Sequence, residues 1–157
     1  EQHLISAMLS TYKVIEQDLP TYSLLASLTD RANLSLPHLR PCSVGSDYLV
    51  FDTWGRVAKC QMEISNTVTD LRELDPLGCV QEAPIGIINP SVDEKGECRD
   101  CKWRYWCAGG CPLQAYRVTG HYDAKSPYCN VYRALYPEVI RLEGLRLLTY
   151  AQYKDKS

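Results

Sequence analysis

A chain of 157 residues has the length of about one compact domain with attached helices, enough for a modest core and small enough to gain from metal crosslinks. Its 17 Lys and Arg against 19 Asp and Glu, a net charge of -2, lack the concentrated basic surface that phosphate binding needs, so nucleic acid is set aside as a partner. There is no apolar run of roughly 18 residues and no basic region ahead of a shorter one, which sets aside a membrane partner and a secretory signal and leads us to expect a cytoplasmic protein.

Leu4, Ile5, Met8, Leu9, Tyr12 and Ile15 recur at helical spacing with no capping residue before them, so the chain reads as a fragment that begins in mid-helix. A second helix is predicted from near Pro20, with Thr21, Leu24, Leu25 and Leu28 on its apolar side, ending before a loop from Asn33 to Pro41. Tyr48 to Phe51 and Arg56 to Cys60 read as a β-hairpin turned at Asp52-Thr53-Trp54-Gly55. Residues 61–97, including Asp75-Pro76-Leu77-Gly78 and Asn89-Pro90, read as loop with one short helix around Val68 to Leu74. Pro112 opens a helix over Leu113 to Val118 that Gly120 ends. After Cys129 a long terminal helix carries a stripe of Val131, Leu135, Val139, Leu142, Leu145 and Leu148, with Pro137 inside it. The expected fold is α+β: a small β-hairpin and cysteine-rich loops, flanked by N-terminal helices and a long C-terminal helix.

Seven of the eight cysteines fall on one ordered pattern: Cys42, twelve residues, Gly55, four residues, Cys60, a gap, then Cys98-x2-Cys101-x5-Cys107-x3-Cys111, a gap, and Cys129. Thiolates select zinc or iron–sulfur centres, and short spacers let several converge without a large core. Zinc takes four ligands, so seven thiolates leave a remainder unless Cys79 joins to give two four-cysteine sites. The x5 and x3 spacers are unusual for zinc ribbons, and Ala108-Gly109-Gly110 leaves bare amides to point at cluster sulfides, which favours iron–sulfur. Arg99, Lys102, Arg104 and Arg117 are near enough in sequence to offset cluster charge, and equally read as solvated surface. Trp54, Trp103, Trp106 and the eleven tyrosines are read as shielding a cluster in preference to lining a peptide groove. An even cysteine count also suits a disulfide-bonded exported domain, but nothing in the sequence supplies the export. His3, His38 and His121 are scattered, and no hydrolase string occurs.

The pattern CX9-15GX4C, gap, CX2CX5CX3C, gap, C resembles the SPASM domain, the C-terminal auxiliary-cluster extension of radical S-adenosylmethionine enzymes that mature peptides and proteins. Cys42 through Cys129 follow it, with Cys107-Ala108-Gly109-Gly110-Cys111-Pro112 and Tyr128-Cys129 as supporting text. The likeness covers residues 40–145, and makes residues 1–39 linking helices from a radical S-adenosylmethionine barrel and residues 40–157 the cluster domain with its C-terminal helix. It implies two [4Fe-4S] clusters: Cys42, Cys60 and Cys111 on the first, and Cys98, Cys101, Cys107 and Cys129 on the second. Cys79, His38 or an open iron would complete the first. Cys107 and Cys111 would then serve different clusters and tie the two halves together.

The CX3CX2C triad that binds the catalytic cluster and S-adenosylmethionine in that family is absent, since Gln114 stands three positions after Cys111. S-adenosylmethionine and a third cluster are therefore expected only in the barrel, and this chain is not expected to act alone. The resemblance implies the auxiliary domain of an oxidoreductase that modifies a peptide or protein. It would serve electron transfer or substrate binding, with the barrel of the same parent chain and the peptide or protein substrate as partners. A zinc-stabilised interaction module is the alternative.

Overall fold

The computed structural model describes residues 1–26 and 34–154, with side chains described as far as residue 151. Helix α1 (Gln2–Gln17) has the expected periodicity and buries Tyr12, while Ile5, Met8, Leu9 and Ile15 pack around the same core. Its partner is α5 (Cys129–Lys154), which contributes Val131, Tyr132, Leu135, Tyr136, Val139 and Leu142. The predicted stripe stops there, because Leu148 is 63% exposed. These residues make the main hydrophobic core, and burying the branched and aromatic side chains is its chief stabilisation, at about 1.5–3 kcal/mol each.

Between α1 and the cysteine region the sequence predicts a second helix, but residues 20–26 form bends and a turn. The remainder of that prediction, residues 27–33, lies outside the described residues. A buried carboxylate takes over what a helix would have satisfied. Glu143 of α5, 7% exposed, accepts from the Leu24 amide (2.9 Å) and the Ser23 hydroxyl (3.1 Å) and pairs with Arg146 (2.7 Å). Arg146 in turn donates to the Thr21 carbonyl (3.0 Å). Leu24 is thereby pulled into the core at 1% exposure.

The hairpin forms as predicted and is extended by a third strand. Strands β1 (Val50–Phe51), β2 (Arg56–Ala58) and β3 (Thr67–Asp70) lie antiparallel in that order, with Phe51 opposite Val57 and Val57 opposite Thr69. Gly55 adopts φ +81 at the tip, where Asp52 accepts from the Trp54 and Arg56 amides. The short helix predicted over Val68 to Leu74 is replaced by β3 and the turn after it. Thr67, Val68 and Thr69 are β-branched, and pairing with β2 decides in favour of a strand. A helix does form nearby, in the stretch read as loop: α2 (Pro76–Glu82), with Asp75 as N-cap accepting from the Gly78 amide (2.9 Å) and Pro76 at its first position. Lys59, 8% exposed, runs from the end of β2 to the Ala83 carbonyl (2.7 Å) at the C-terminal end of α2. That contact uses the negative end of the helix and fixes the strand end that precedes Cys60.

The rest of the metal region is built from short pieces. Val92–Glu94 and Gly96–Cys98 are 3₁₀ turns, the first closed by a reciprocal Ser91–Glu94 capping box. Helix α3 (Arg104–Cys107) is one turn long, and α4 (Pro112–Thr119) starts and stops as predicted, with Gly120 at φ +78. The structure is thus mixed helix with a small antiparallel sheet. Among the described residues no helix is long and apolar enough to cross a membrane.

Candidate metal centre

Four of the predicted ligands come from three separate pieces of chain. Cys98 ends a 3₁₀ turn and Cys101 follows it, its amide bonded to the Cys98 carbonyl (3.0 Å); Cys107 ends α3, and Cys129 opens α5. All four line one cavity of about 100 Å³, together with Trp103, Arg104, Gly109, Lys125, Tyr132, Arg133 and Tyr136. Several water-sized spheres would fill that volume. The sulfurs therefore stand around a space in place of converging on a point.

The cavity wall acts on these thiols in both directions. Burial, reinforced by Cys107, raises the Cys98 thiol to about 11. Burial also raises Cys107 and Cys129, opposed at Cys107 by the Gly109 amide and the Tyr136 hydroxyl, and at Cys129 by Arg133 and Lys125. Charged thiolates here need something positive to hold them, and a metal centre supplies that while displacing their protons. Tyr136 is fully buried, stacked on Tyr132 (6.0 Å between ring centroids) and edge-on to Trp103 (5.1 Å). Its hydroxyl lacks a geometrically complete hydrogen bond and faces the Cys107 thiol. A buried O–H directed at sulfur, an amide directed at the same sulfur and an aromatic wall all fit a thiolate-bound cluster.

Three consecutive left-handed residues, Ala108 (φ 47), Gly109 (φ 73) and Gly110 (φ 70), turn the chain between Cys107 and Cys111. Crowding adds a second constraint, firm at Gly110 and softer at Gly109, where the neighbour is the flexible end of a lysine. A Cβ on Gly109 would lie 2.5 Å from the Lys95 Cδ, and one on Gly110 would lie 2.5 Å from the Ser126 Cβ. The turn carries the next cysteine away from the cavity. Cys111 instead joins Cys42 and Cys60 in a second cleft, among Val44, Tyr48, Gln61, Met62, Ile87 and Leu113.

That cleft has the donor set of a metal site but little space, about 20 Å³. This is room for roughly one water-sized sphere, so a cluster there requires the walls to part. Among the described residues no charged side chain lines it. Asn89 braces the site from behind, its side-chain amide donating to the Cys42 carbonyl (2.8 Å). Neither candidate fourth ligand lines the cleft. Cys79 is exposed on α2, and the His38 ring lies 3.1 Å from the Leu36 carbonyl through Nδ1.

All eight cysteines are free thiols, and among the described residues no three His, Cys, Asp or Glu side chains form a group able to hold a metal ion as they stand. Of the cations singled out in the sequence, Arg104 lines the larger cavity. Lys102 lies over the Trp103 ring (5.3 Å), and Arg117 pairs with Glu63 (2.9 Å). Trp54 is 73% exposed at the hairpin tip, so it shields neither site. Sequence reasoning took the tyrosines only collectively and missed Arg133, although Tyr132, Arg133 and Tyr136 follow Cys129 by three, four and seven residues, the spacing that puts them on its helix face. It also missed Lys95 and Lys125, for which the sequence carries no comparable signal.

No family model matches the chain, and no solved structure matches it. A stretch of 45 residues, 29% of the chain, is 40% identical to an uncharacterized protein of Archaeoglobus fulgidus, and covers 11% of that protein's length. This likeness names no activity.

Proposed function

We propose that this chain is an iron–sulfur domain of the SPASM type, holding two [4Fe-4S] clusters for a radical S-adenosylmethionine enzyme that modifies a peptide or protein in the cytoplasm. One observation carries the proposal: the cysteines divide between two cavities, four and three, and the boundary falls inside the short Cys107–Cys111 loop. The same division follows from the cysteine spacing when it is read through the family resemblance.

Cys98, Cys101, Cys107 and Cys129 are the ligands of one cluster, and Cys42, Cys60 and Cys111 are the protein ligands of the other. When bound, such clusters supply one-electron donors and acceptors whose potentials follow charge and hydrogen bonding at sulfur. The residues of this chain set those conditions. Trp103, Tyr132 and Tyr136 keep water from the four-cysteine cavity, while the Gly109 amide and the Tyr136 hydroxyl steady the Cys107 sulfur. The rigid loop holds the two sulfur sets in fixed relation, as passing electrons between them or towards a substrate requires. The radical-generating barrel of the same parent chain and the peptide substrate are the proposed partners.

Anaerobic reconstitution tests this. The account expects a brown protein with about eight iron atoms and about eight acid-labile sulfides per chain. A colourless protein with about two zinc ions and no sulfide would instead establish a zinc-stabilised module.

A further inference from the structure

Lys95 lies in the turn between the two 3₁₀ segments and is 0% exposed, one of the largest fully buried side chains in the protein. It lines neither cavity. Its stem runs behind the Cys107–Cys111 loop against Gly109, where a Cβ would also come within 3.0 Å of Nζ. The ammonium ends 3.5 Å from the Gly109 carbonyl and 3.5 Å from the Gly110 carbonyl, both at the limit of hydrogen bonding. Among the described residues it forms no ion pair with a carboxylate within 4.0 Å.

A buried ammonium held only by two long carbonyl contacts is costly unless negative charge lies close by. Burial pulls the Lys95 ammonium below its ordinary pKa, and the acidic groups that oppose this are Cys98 and Cys107 from the four-cysteine set, Cys111 from the three-cysteine set, and Asp123. Lys95 is therefore a cation that feels both sulfur sites. The cations lining the larger cavity, Arg104, Lys125 and Arg133, do not line the cleft.

Resting on the iron–sulfur function proposed above, we infer that Lys95 is a shared positioning and charge-compensating residue: its buried ammonium behind the Cys107–Cys111 loop offsets the negative charge held by both cysteine sets and makes both clusters easier to reduce. A positive charge in a low-dielectric interior favours the more negative, reduced state of any centre near it. Tyr136 provides the contrast, because the thiols that act on its hydroxyl, Cys107 and Cys129, both belong to the four-cysteine set.

The test is a redox titration, followed by electron paramagnetic resonance, of the anaerobically reconstituted 157-residue chain and of its Lys95→Met, Lys95→Arg and Tyr136→Phe variants, with iron and sulfide measured on each. Lys95→Met is expected to lower the equilibrium constant for reduction of both clusters about tenfold or more, a shift of about 59 mV for a one-electron couple. Lys95→Arg is expected to keep both near wild type, and Tyr136→Phe to lower only the four-cysteine cluster. If Lys95→Met does not fold, Lys95→Gln takes its place. Neutral variants that fold without iron while Lys95→Arg binds it support the inference equally, since charge is then what the sites need. Unchanged potentials in the neutral variant, a shift in one cluster alone, or loss of iron from Lys95→Arg as well as from the neutral variant would overturn it. Failure of the iron–sulfur function is a separate result, read from wild-type protein that binds no iron.

Discussion

The four-cysteine cavity and the three-cysteine cleft use the same ligand type in opposite surroundings. The first, about 100 Å³, backs onto the helical core and is lined by Glu97, Arg104, Lys125 and Arg133 as well as tyrosines. The second, about 20 Å³, lies between hairpin and α4, with mostly apolar walls apart from Gln61 and, among the described residues, no charged side chain. The helical core prepares space for a bulky group on one side, whereas on the other the cysteines are gathered and the space is left to be opened. Two centres held so differently should differ in stability and potential, yet they share one loop.

The strongest way to break the contrast is at that loop. Gly110→Ala combines a positive φ with a Cβ 2.5 Å from the Ser126 Cβ, and is expected to destabilise by about 3 kcal/mol from backbone strain and overpacking together. Denaturant unfolding would show it, and both centres should lose iron together. Glu143→Ala attacks the helical half alone. It leaves the buried Leu24 amide without its acceptor and takes the carboxylate from the partly buried Arg146, which keeps only the Thr21 carbonyl, at a cost of about 2 kcal/mol, and should weaken iron retention in the four-cysteine cavity while sparing the cleft.

Glu143 also sets an acid limit. Bonding to Arg146, the Leu24 amide and Ser23 lowers its carboxyl from 4.5 to about 2. Its contribution is therefore complete above pH 4.5 and drains away as pH falls towards 2. Acid unfolding of Glu143→Gln should be flatter than wild type across that window.

Smaller effects sharpen the contrast. Under an iron chelator the three-cysteine centre should release iron first, because in the proposed assignment one of its irons would lack a protein thiolate, and the visible spectrum would fall in two phases. Cys79→Ala should change iron content least of all, since this residue is exposed on α2 and lines neither cavity. A loss of about four irons on that substitution would instead make Cys79 a ligand after rearrangement.

Much of this was legible in the sequence wherever local chemistry decides. The hairpin turn at Gly55, the Pro112 start and Gly120 stop of α4, and the stripe of α5 as far as Leu142 follow from side-chain periodicity and backbone preference. Predictions failed where a distant group intervened. Residues 20–26 give up a helix to the carboxylate of Glu143, more than a hundred residues away, and β3 exists because β2 is there to pair with it. The candidate site was legible in its sulfurs and far less in its surroundings. A thiol spacing shows which cysteines are close in sequence, but the buried Lys95, and the crowding around Gly109 and Gly110, arise only once the pieces pack.

The central claim, two separate sulfur centres joined through one loop, is tested most directly by measuring iron content and electron paramagnetic resonance on Cys60→Ala, on Cys129→Ala and on the double variant, all reconstituted without oxygen. Each single variant should keep about four irons with a different surviving signal, and the double variant should keep none. Two single variants that lose the same signal would contradict the account.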